Sequence, residues 1–307
     1  MNFLKSTYHF LWALLGALYY CFPSQELIVI GVTGTNGKST VVALLHEVFF
    51  QAGFRVGSLS SLRFKIQNEE TQNMLKMTMP GRGRIQKFLA ECVKEKCRFT
   101  IIEITSEGVR QFRHQFINFD SAVFTNLTPE HIESHGGFPS YRQAKVKFFQ
   151  HVARSSRKNI FGKRVLKTSI LNLDDPEYKH FLVSGMDEYI GYSREGKTDP
   201  IIQTAIHAEN IFVKEDGVSF TVDSTAIHAP LYGMFNVSNM LAVIATARVF
   251  HIPNHSIQKT FAGIQTVPGR FEYIKEGQNF SVIVDYAHTP DALEKIYTTV
   301  QSIHPTS

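Results

Sequence analysis

The stretch "GVTGTNGKSTVVALL", Gly31 to Leu45, constrains this chain more than any other. An apolar run, Leu27 to Val32, ends in a loop of small residues carrying Lys38, and a helix-like segment follows at once. Gly34 and Gly37 leave no Cβ between backbone N–H groups and an approaching anion. A helix starting at the loop adds the partial positive charge of its N-terminus. Lys38 can reach the terminal phosphates of a nucleoside triphosphate, and the Ser39 hydroxyl can reach a magnesium ion. Gly34, Thr35, Asn36, Gly37, Lys38, Ser39 and Thr40 therefore read as a phosphate cradle for a nucleoside triphosphate and its magnesium ion. The spacing differs from the standard Walker form, whose first glycine falls on Val32.

A strand feeding such a loop implies an α/β fold, and the rest of the chain agrees. "RFTIIEIT", "FDSAVFTNLT" and "KTSILNLDD" read as strands; "STVVALLHEVFFQAG", "IQKFLAECVKEKC" and "SYRQAKVKFFQHVA" read as helices. Their alternation predicts a mostly parallel sheet flanked by helices, with ligands at the carboxyl ends of its strands. From Pro200 to about Pro230 short alternating segments predict hairpins, and "NVSNMLAVIATARVF" predicts an apolar helix. The last residues, with "VPGRFEYI" and "FSVIVDYAHTPDALEKIYTTVQ", read as one strand–loop–helix unit, which cannot bury its own faces alone.

A net charge of +5 without a long basic block gives no nucleic-acid surface. Cys21, Cys92 and Cys97 form neither a disulfide framework nor a CxxC pair, the usage of a reducing compartment. The run Tyr8 to Phe22 is apolar apart from His9, yet short for a spanning helix. Two readings stand for it: an anchor at the membrane surface, or a helix packed on the domain behind it. Either way the nucleotide loop places the body in the cytoplasm, at the inner face of the membrane in the first case.

The loop in its T-G-T-N-G-K-[ST]-T form resembles the Mur ligase family, the ATP-dependent amide-forming enzymes of peptidoglycan assembly. "FDSAVFTNLTPEHIESHGGFPSYRQAKVKFF", "LNLDDP", "MFNVSNMLAVIATA", "VPGRFEYI" and "VIVDYAHTPDALEKI" follow in the family's order, over roughly Leu27 to Ile296. "DYAHTPDALEK" and "EITSEG" are most similar to its MurE type, which adds the third amino acid to a UDP-muramoyl dipeptide. The resemblance implies attack of a substrate carboxylate on the γ-phosphate of ATP. The acyl phosphate so formed is displaced by the amine of an amino acid, releasing ADP and phosphate. Such transfer is mostly positioning and charge neutralisation.

Glu103, at the carboxyl end of an apolar strand, suits a magnesium ligand once the loop is considered. By resemblance, His131 joins the metal set, with Glu130 in place of the family aspartate before it. Lys145 matches the lysine that carbon dioxide carbamylates into a magnesium-ligating anion; from composition alone it would be a solvated helix lysine. Lys38, Glu103, His131 and Lys145 thus form the implied catalytic set. Asn236 and Asn239 match adenine-side asparagines, although unaided they read as a helix N-cap and a turn residue. Arg270 and Asp285 match the interdomain arginine and the ribose-side aspartate. Thr78, in "TMPGRGRI", with Thr105 and Ser106, matches substrate contacts, and Arg82 and Arg84 can attract an anionic substrate. Glu107 departs from the pattern, standing where the family has histidine.

The domains expected are residues 1–26 as the apolar segment, 27–268 as the central ATP-binding domain, and 269–307 as the start of a C-terminal ligase domain of Rossmann type. The expected partners are a muramoyl-peptide substrate and an amino acid, with the protein monomeric. An ATP-binding module without ligation, acting as a membrane-associated scaffold, is the alternative.

Overall fold

The computed structural model describes residues 3–75, 77–81, 83–130, 135–264, 267–274 and 276–303. Helix α1 (Phe3–Tyr19) leads through a short 3-10 turn at Pro23–Gln25 into β1 (Ile28–Thr33) and then α2 (Lys38–Gln51). Next come β2 (Val56–Leu59), a hairpin of β3 (Arg63–Ile66) and β4 (Glu69–Gln72), α3 (Arg84–Lys94), β5 (Phe99–Ile104) and the short α4 (Ser106–Arg110). β6 (Ser121–Phe124), α5 (Phe138–Arg154), a two-residue ribbon of β7 (Asn159–Ile160) and β8 (Lys163–Arg164), β9 (Thr168–Asn172) and β10 (Glu188–Ser193) follow. β11 (Thr204–His207) ends this part of the chain.

The main sheet runs β11-β10-β9-β6-β1-β5-β2-β3-β4, parallel except for the antiparallel pairings of β3 with β2 and β4. Every residue of β1 and β5 is buried, as both faces of a parallel sheet demand. One face packs on α2, where Val41, Leu44, Leu45, Val48 and Phe49 are wholly buried. α6 (Met234–Val249) and α7 (Asn254–Ala262) share this layer with the antiparallel sheet of β12 (Glu209–Lys214), β13 (Gly217–Val222) and β14 (Thr225–Ala229). The other face packs on α3 and α5 through Phe88, Leu89, Phe148, Phe149 and Val152.

Two expectations change here. The hairpin region begins later than its texture predicts, since Thr204–His207 joins the main sheet as a parallel edge strand. Asn236 and Asn239 are buried inside α6, whose N-cap is Gly233. In the C-terminal stretch the expected strand–loop–helix unit is present as β16 (Val282–Val284), a loop and α8 (Pro290–Ile303), with β15 (Glu272–Ile274) added as an antiparallel partner of β16.

Helix α1 packs on α3 at a glycine contact: a Cβ on Gly16 would stand 2.7 Å from the Gly83 Cα. Phe10 also sits edge-on to Phe112 and Phe116, with ring centroids 5.9 and 5.1 Å away. Its other side leaves Tyr8, Leu11, Trp12, Leu15, Leu18 and Tyr19 exposed. Among the described residues no helix is long and apolar enough to cross a membrane.

Beneath β1 lies a charged triad with no signature in the sequence. The wholly buried Asp120 carboxylate accepts from Lys158 Nζ at 2.5 Å, Lys167 Nζ at 2.9 Å and the Val29 N–H at 2.8 Å. Lys158 also donates to the Ser24 and Leu27 carbonyls, tying the α1–β1 connection to the sheet.

Candidate active site

The parallel register brings the sequence candidates together. Val32 lies opposite Glu103 and Thr33 opposite Phe124, so the carboxyl ends of β1, β5 and β6 surround one corner. There Gly37 takes φ +83° as the N-cap of α2, and a Cβ on it would meet Asn239 Oδ1 at 2.3 Å. Only glycine satisfies both the left-handed backbone and the close approach of α6. The loop after β6 braces the cradle from behind. Asn126 Oδ1 accepts from the Asn36 N–H at 2.9 Å, and Thr125 Oγ1 donates to the Asn36 carbonyl at 2.7 Å. Thr35 Oγ1 lies 3.1 Å from the Tyr141 hydroxyl, and Thr40 is buried in the first turn of α2.

Glu103, 2% exposed, accepts from the Ser39 hydroxyl at 3.0 Å and the Ser61 N–H at 2.9 Å through one carboxylate oxygen. A buried carboxylate beside a hydroxyl at a phosphate cradle is the hard oxygen pair that Mg2+ takes, with waters and phosphate oxygens completing its shell. Arg270 Nη2 reaches Ser39 Oγ at 3.3 Å, while its Nε is buried without a hydrogen-bond partner. Among the described residues no group of three His, Cys, Asp or Glu side chains forms a metal cage. His131 lies outside the described residues, as does Arg82.

Two lysines converge on the loop carbonyls. Lys38 Nζ donates to the Thr35 carbonyl at 2.6 Å, and Lys145 Nζ to the Gly34 carbonyl at 2.7 Å. Lys145 is buried with its ammonium 4.7 Å from the centre of the Tyr141 ring. Burial first, and the charge of Lys38 second, hold the Lys145 amine well below the usual lysine range, against the pull of Glu130 and Glu103. Lys38 is lowered by burial too; Glu103 and Glu130 oppose this and Arg270 adds to it. The reading of Lys145 as a solvated lysine is excluded by its burial.

Asn236 and Asn239 pair with each other, Asn239 Nδ2 donating to Asn236 Oδ1 at 3.1 Å, behind Gly37. Asp285 accepts from the Phe271 and Ala287 N–H groups, which shapes the turn around β15 and β16. Thr105 caps α4 by accepting from the Gly108 N–H at 3.0 Å, and Ser106 Oγ lies 3.1 Å from His135 Nε2. Thr78 is half-buried in the loop before α3, and Arg84 is exposed.

Sequence reasoning missed several neighbours. Asp291 accepts from Asn36 Nδ2 at 3.1 Å and from Lys295 at 2.7 Å, joining the C-terminal stretch to the cradle. Its place in "TPDALEK" was the available signal. Arg113 donates to the Met79 carbonyl and Gln111 Oε1 beside the Thr78 loop. Ser61, Thr125 and Asn126 carry no chemical signature outside this packing.

With that geometry in view, the comparisons decide the family. The family description "Mur ligase middle domain" matches residues 32–247, and "Mur ligase, glutamate ligase domain" matches residues 269–307. The chain belongs to the Mur ligase family. Mur ligases use ATP and Mg2+. It is 35% identical to the UDP-N-acetylmuramoyl-L-alanyl-D-glutamate--2,6-diaminopimelate ligase of Geobacillus thermodenitrificans, over 94% of this chain and 57% of that protein. The same ligase of Bacillus cereus is 32% identical over 97% of this chain and 58% of its own length. That coverage reaches into α1. The chain thus spans a little over half the length of these curated relatives. A solved structure of such a diaminopimelate ligase superposes with a TM-score of 0.74 at 26% identity, covering 91% of this chain and 54% of that one. A Mycobacterium tuberculosis folylpolyglutamate synthase shares the fold at 14% identity, TM-score 0.73, covering 95% of this chain and 70% of that one.

Proposed function

We propose that this chain is the nucleotide-binding part of an ATP-dependent ligase of peptidoglycan precursor synthesis. It extends a muramoyl peptide by one amino acid. The observation that carries this reading is the meeting of Lys38, Ser39, Glu103, Lys145 and Arg270 at one corner. A module that merely bound the Mg-nucleotide could use Lys38, Ser39 and Glu103, but would have no use for a second buried lysine, Lys145, at the cradle. The likeness to diaminopimelate-adding ligases supports a UDP-muramoyl dipeptide as acceptor.

In this reading ATP supplies the phosphoryl group that activates the acceptor carboxylate. Gly34–Thr40 amides and Lys38 hold its phosphates, Asn236 and Asn239 flank its base, and Arg270 and Asp285 belong to its ribose and interdomain side. Ser39, Glu103 and a carbamylated Lys145, with His131, hold Mg2+. Tyr141 and the Gly34 carbonyl fix the Lys145 nitrogen, and burial lowers its pKa, which favours the amine form; addition of that amine to carbon dioxide would give the carbamate and release one proton to water. Thr78, Thr105 and Ser106 contact the acceptor. One chain supplies every group of this set, consistent with a monomer, organised as segments 1–26, 27–268 and 269–307.

ADP release with UDP-muramoyl dipeptide and a panel of amino acids tests the reading. Release should require both acceptor and amino acid, and release indifferent to either defeats it. The exposed row Tyr8, Leu11, Trp12, Leu15, Leu18 and Tyr19, beside exposed Arg84 and Lys87 on α3, supports a seat at the inner membrane face. Sedimentation with anionic vesicles should fall at least about tenfold in Trp12→Glu/Leu15→Glu, as two lost apolar anchors predict. Equal sedimentation of both proteins removes the membrane seat.

A further inference from the structure

The carboxyl end of α3 holds two cysteines that the ligase reading does not use. After Lys94 the chain turns through Lys96, at φ +55°. The Cys97 N–H donates to the Cys92 carbonyl at 2.8 Å, and the Lys96 N–H to the Val93 carbonyl at 2.9 Å. These are the paired bonds of a Schellman cap, which folds the side chain after the left-handed residue back onto the last turn of the helix. That contact is ordinarily between apolar side chains; here it joins two sulfurs, through a hydrogen bond between Cys92 and Cys97. A 2.8 Å bond from one residue's N–H to the other's carbonyl holds their Cα atoms within about 6.7 Å. A disulfide bridges Cα atoms about 4.4–6.8 Å apart. The pair is also unequal. Cys92 is wholly buried, and a Cβ on Gly57 would stand 2.3 Å from its Sγ, so glycine in β2 makes room for this sulfur. Cys97 keeps 5% exposure, and its Sγ accepts from Gln67 Nε2 at 3.8 Å. Burial first, and Cys97 second, push the Cys92 thiol well above the usual range. The hydrogen bond from Cys92 lowers Cys97, with burial opposing it and Gln67 and Arg55 adding to it. One sulfur is thus disposed to be the thiolate, and the other is held as the thiol that donates to it.

We infer that Cys92 and Cys97 are an oxidisable dithiol, a modification site for hydroperoxides that closes reversibly to a disulfide across the α3 cap. The Cys97 thiolate attacks the outer peroxide oxygen and the O–O bond breaks. The sulfur becomes a sulfenic acid, and the departing hydroxide or alkoxide takes a proton from water. The Cys92 sulfur then displaces the sulfenic hydroxyl, which leaves as water with the Cys92 proton, and the S–S bond forms. Two thiols are oxidised and one hydroperoxide is reduced. Lys94, Glu95 and Lys96, between the two cysteines, are exposed, so the closure asks no core residue of that segment to move. It takes the Cys97 sulfur from Gln67, whose carbonyl accepts from His46 Nε2 of α2 at 2.9 Å, which makes His46 a reporter of the change. The inference is independent of the ligase reading.

The test uses the full chain carrying Cys21→Ser, which removes the exposed third thiol and leaves the core untouched. After hydrogen peroxide, unfolding and alkylation, the protein should have lost both alkylable thiols and two hydrogens of mass. Cys92 and Cys97 should appear in one cross-linked peptide, dithiothreitol should restore both thiols, and the His46 ring resonances should shift with closure and return with reduction. Cys92→Ala should stop at a sulfenic acid on Cys97, trapped by dimedone. Cys97→Ala should slow oxidation of the remaining thiol at least about tenfold, as loss of the thiolate-forming sulfur predicts. Two thiols still alkylable at a peroxide dose that oxidises Cys21 in the unsubstituted chain would overturn the inference. So would a cross-link only between separate chains, a loss that dithiothreitol does not reverse, or equal oxidation rates in the two alanine variants.

Discussion

Under the proposed ligase function, replacing Lys145 by methionine is expected to lower the ligation rate about 10³-fold or more while leaving the melting temperature unchanged or raised. The rate loss follows from the proposed role of Lys145 as a group beside the phosphate cradle, where phosphoryl transfer develops charge. The stability outcome follows from burial. Lys145 is 2% exposed, meets among the described residues the Gly34 carbonyl and the Tyr141 ring face, and shares its corner with Lys38. A buried lysine nitrogen so placed, desolvated and with its pKa lowered, stabilises little, and an apolar side chain of similar length fits the same space. Carbamylation adds a second signature. Wild-type activity should fall in carbon-dioxide-depleted buffer and return with bicarbonate, whereas the Lys145→Met protein should not respond. Activity within tenfold of wild type in that variant would remove Lys145 from the chemistry. Bicarbonate-independent wild-type activity would remove the carbamate alone.

Asp120→Asn is the corresponding test of stability, with an expected cost of about 3–5 kcal/mol in urea unfolding. The substitution keeps the shape and removes the charge that holds Lys158 and Lys167 in the interior. Burial already pushes Lys158 down to about 8, against the pull of Asp120. Since the unfolded lysine titrates near ~10.4, the unfolded chain binds more protons between those values, and stability should rise with pH through that window. The Lys158 penalty is fully present below the folded value and fades above it. In Asp120→Asn that rise should begin at lower pH, because the opposing carboxylate is gone. A change below about 1 kcal/mol, a small fraction of the cost of breaking a buried pair, would show that the triad is not holding the α1–β1 connection.

The two residues differ in how visible they are before folding. Lys145 stood out only through the family resemblance, which "YRQAK" behind "TNLTPEHIESHGG" carries; by itself it read as a solvated helix lysine. Asp120, Lys158 and Lys167 did not stand out, since a solvated and a buried lysine look alike until the strands between them pair. The same limit applies to Asn236 and Asn239. Their letters suggested a cap and a turn, and helix packing against Gly37 made them interior.

The parallel α/β architecture and the phosphate corner follow from local order: apolar runs of strand length, helical periods, and glycines where an anion approaches backbone; apart from Glu103, the other candidate residues were visible only through the family resemblance. Tertiary structure decided everything that depends on distance across the chain. It turned α1 onto α3 at a glycine contact and buried Asp120 and Lys145. The reason is that charge, burial and pKa belong to surroundings. Those surroundings come from segments tens to hundreds of residues away, which strand pairing and helix packing together bring into contact.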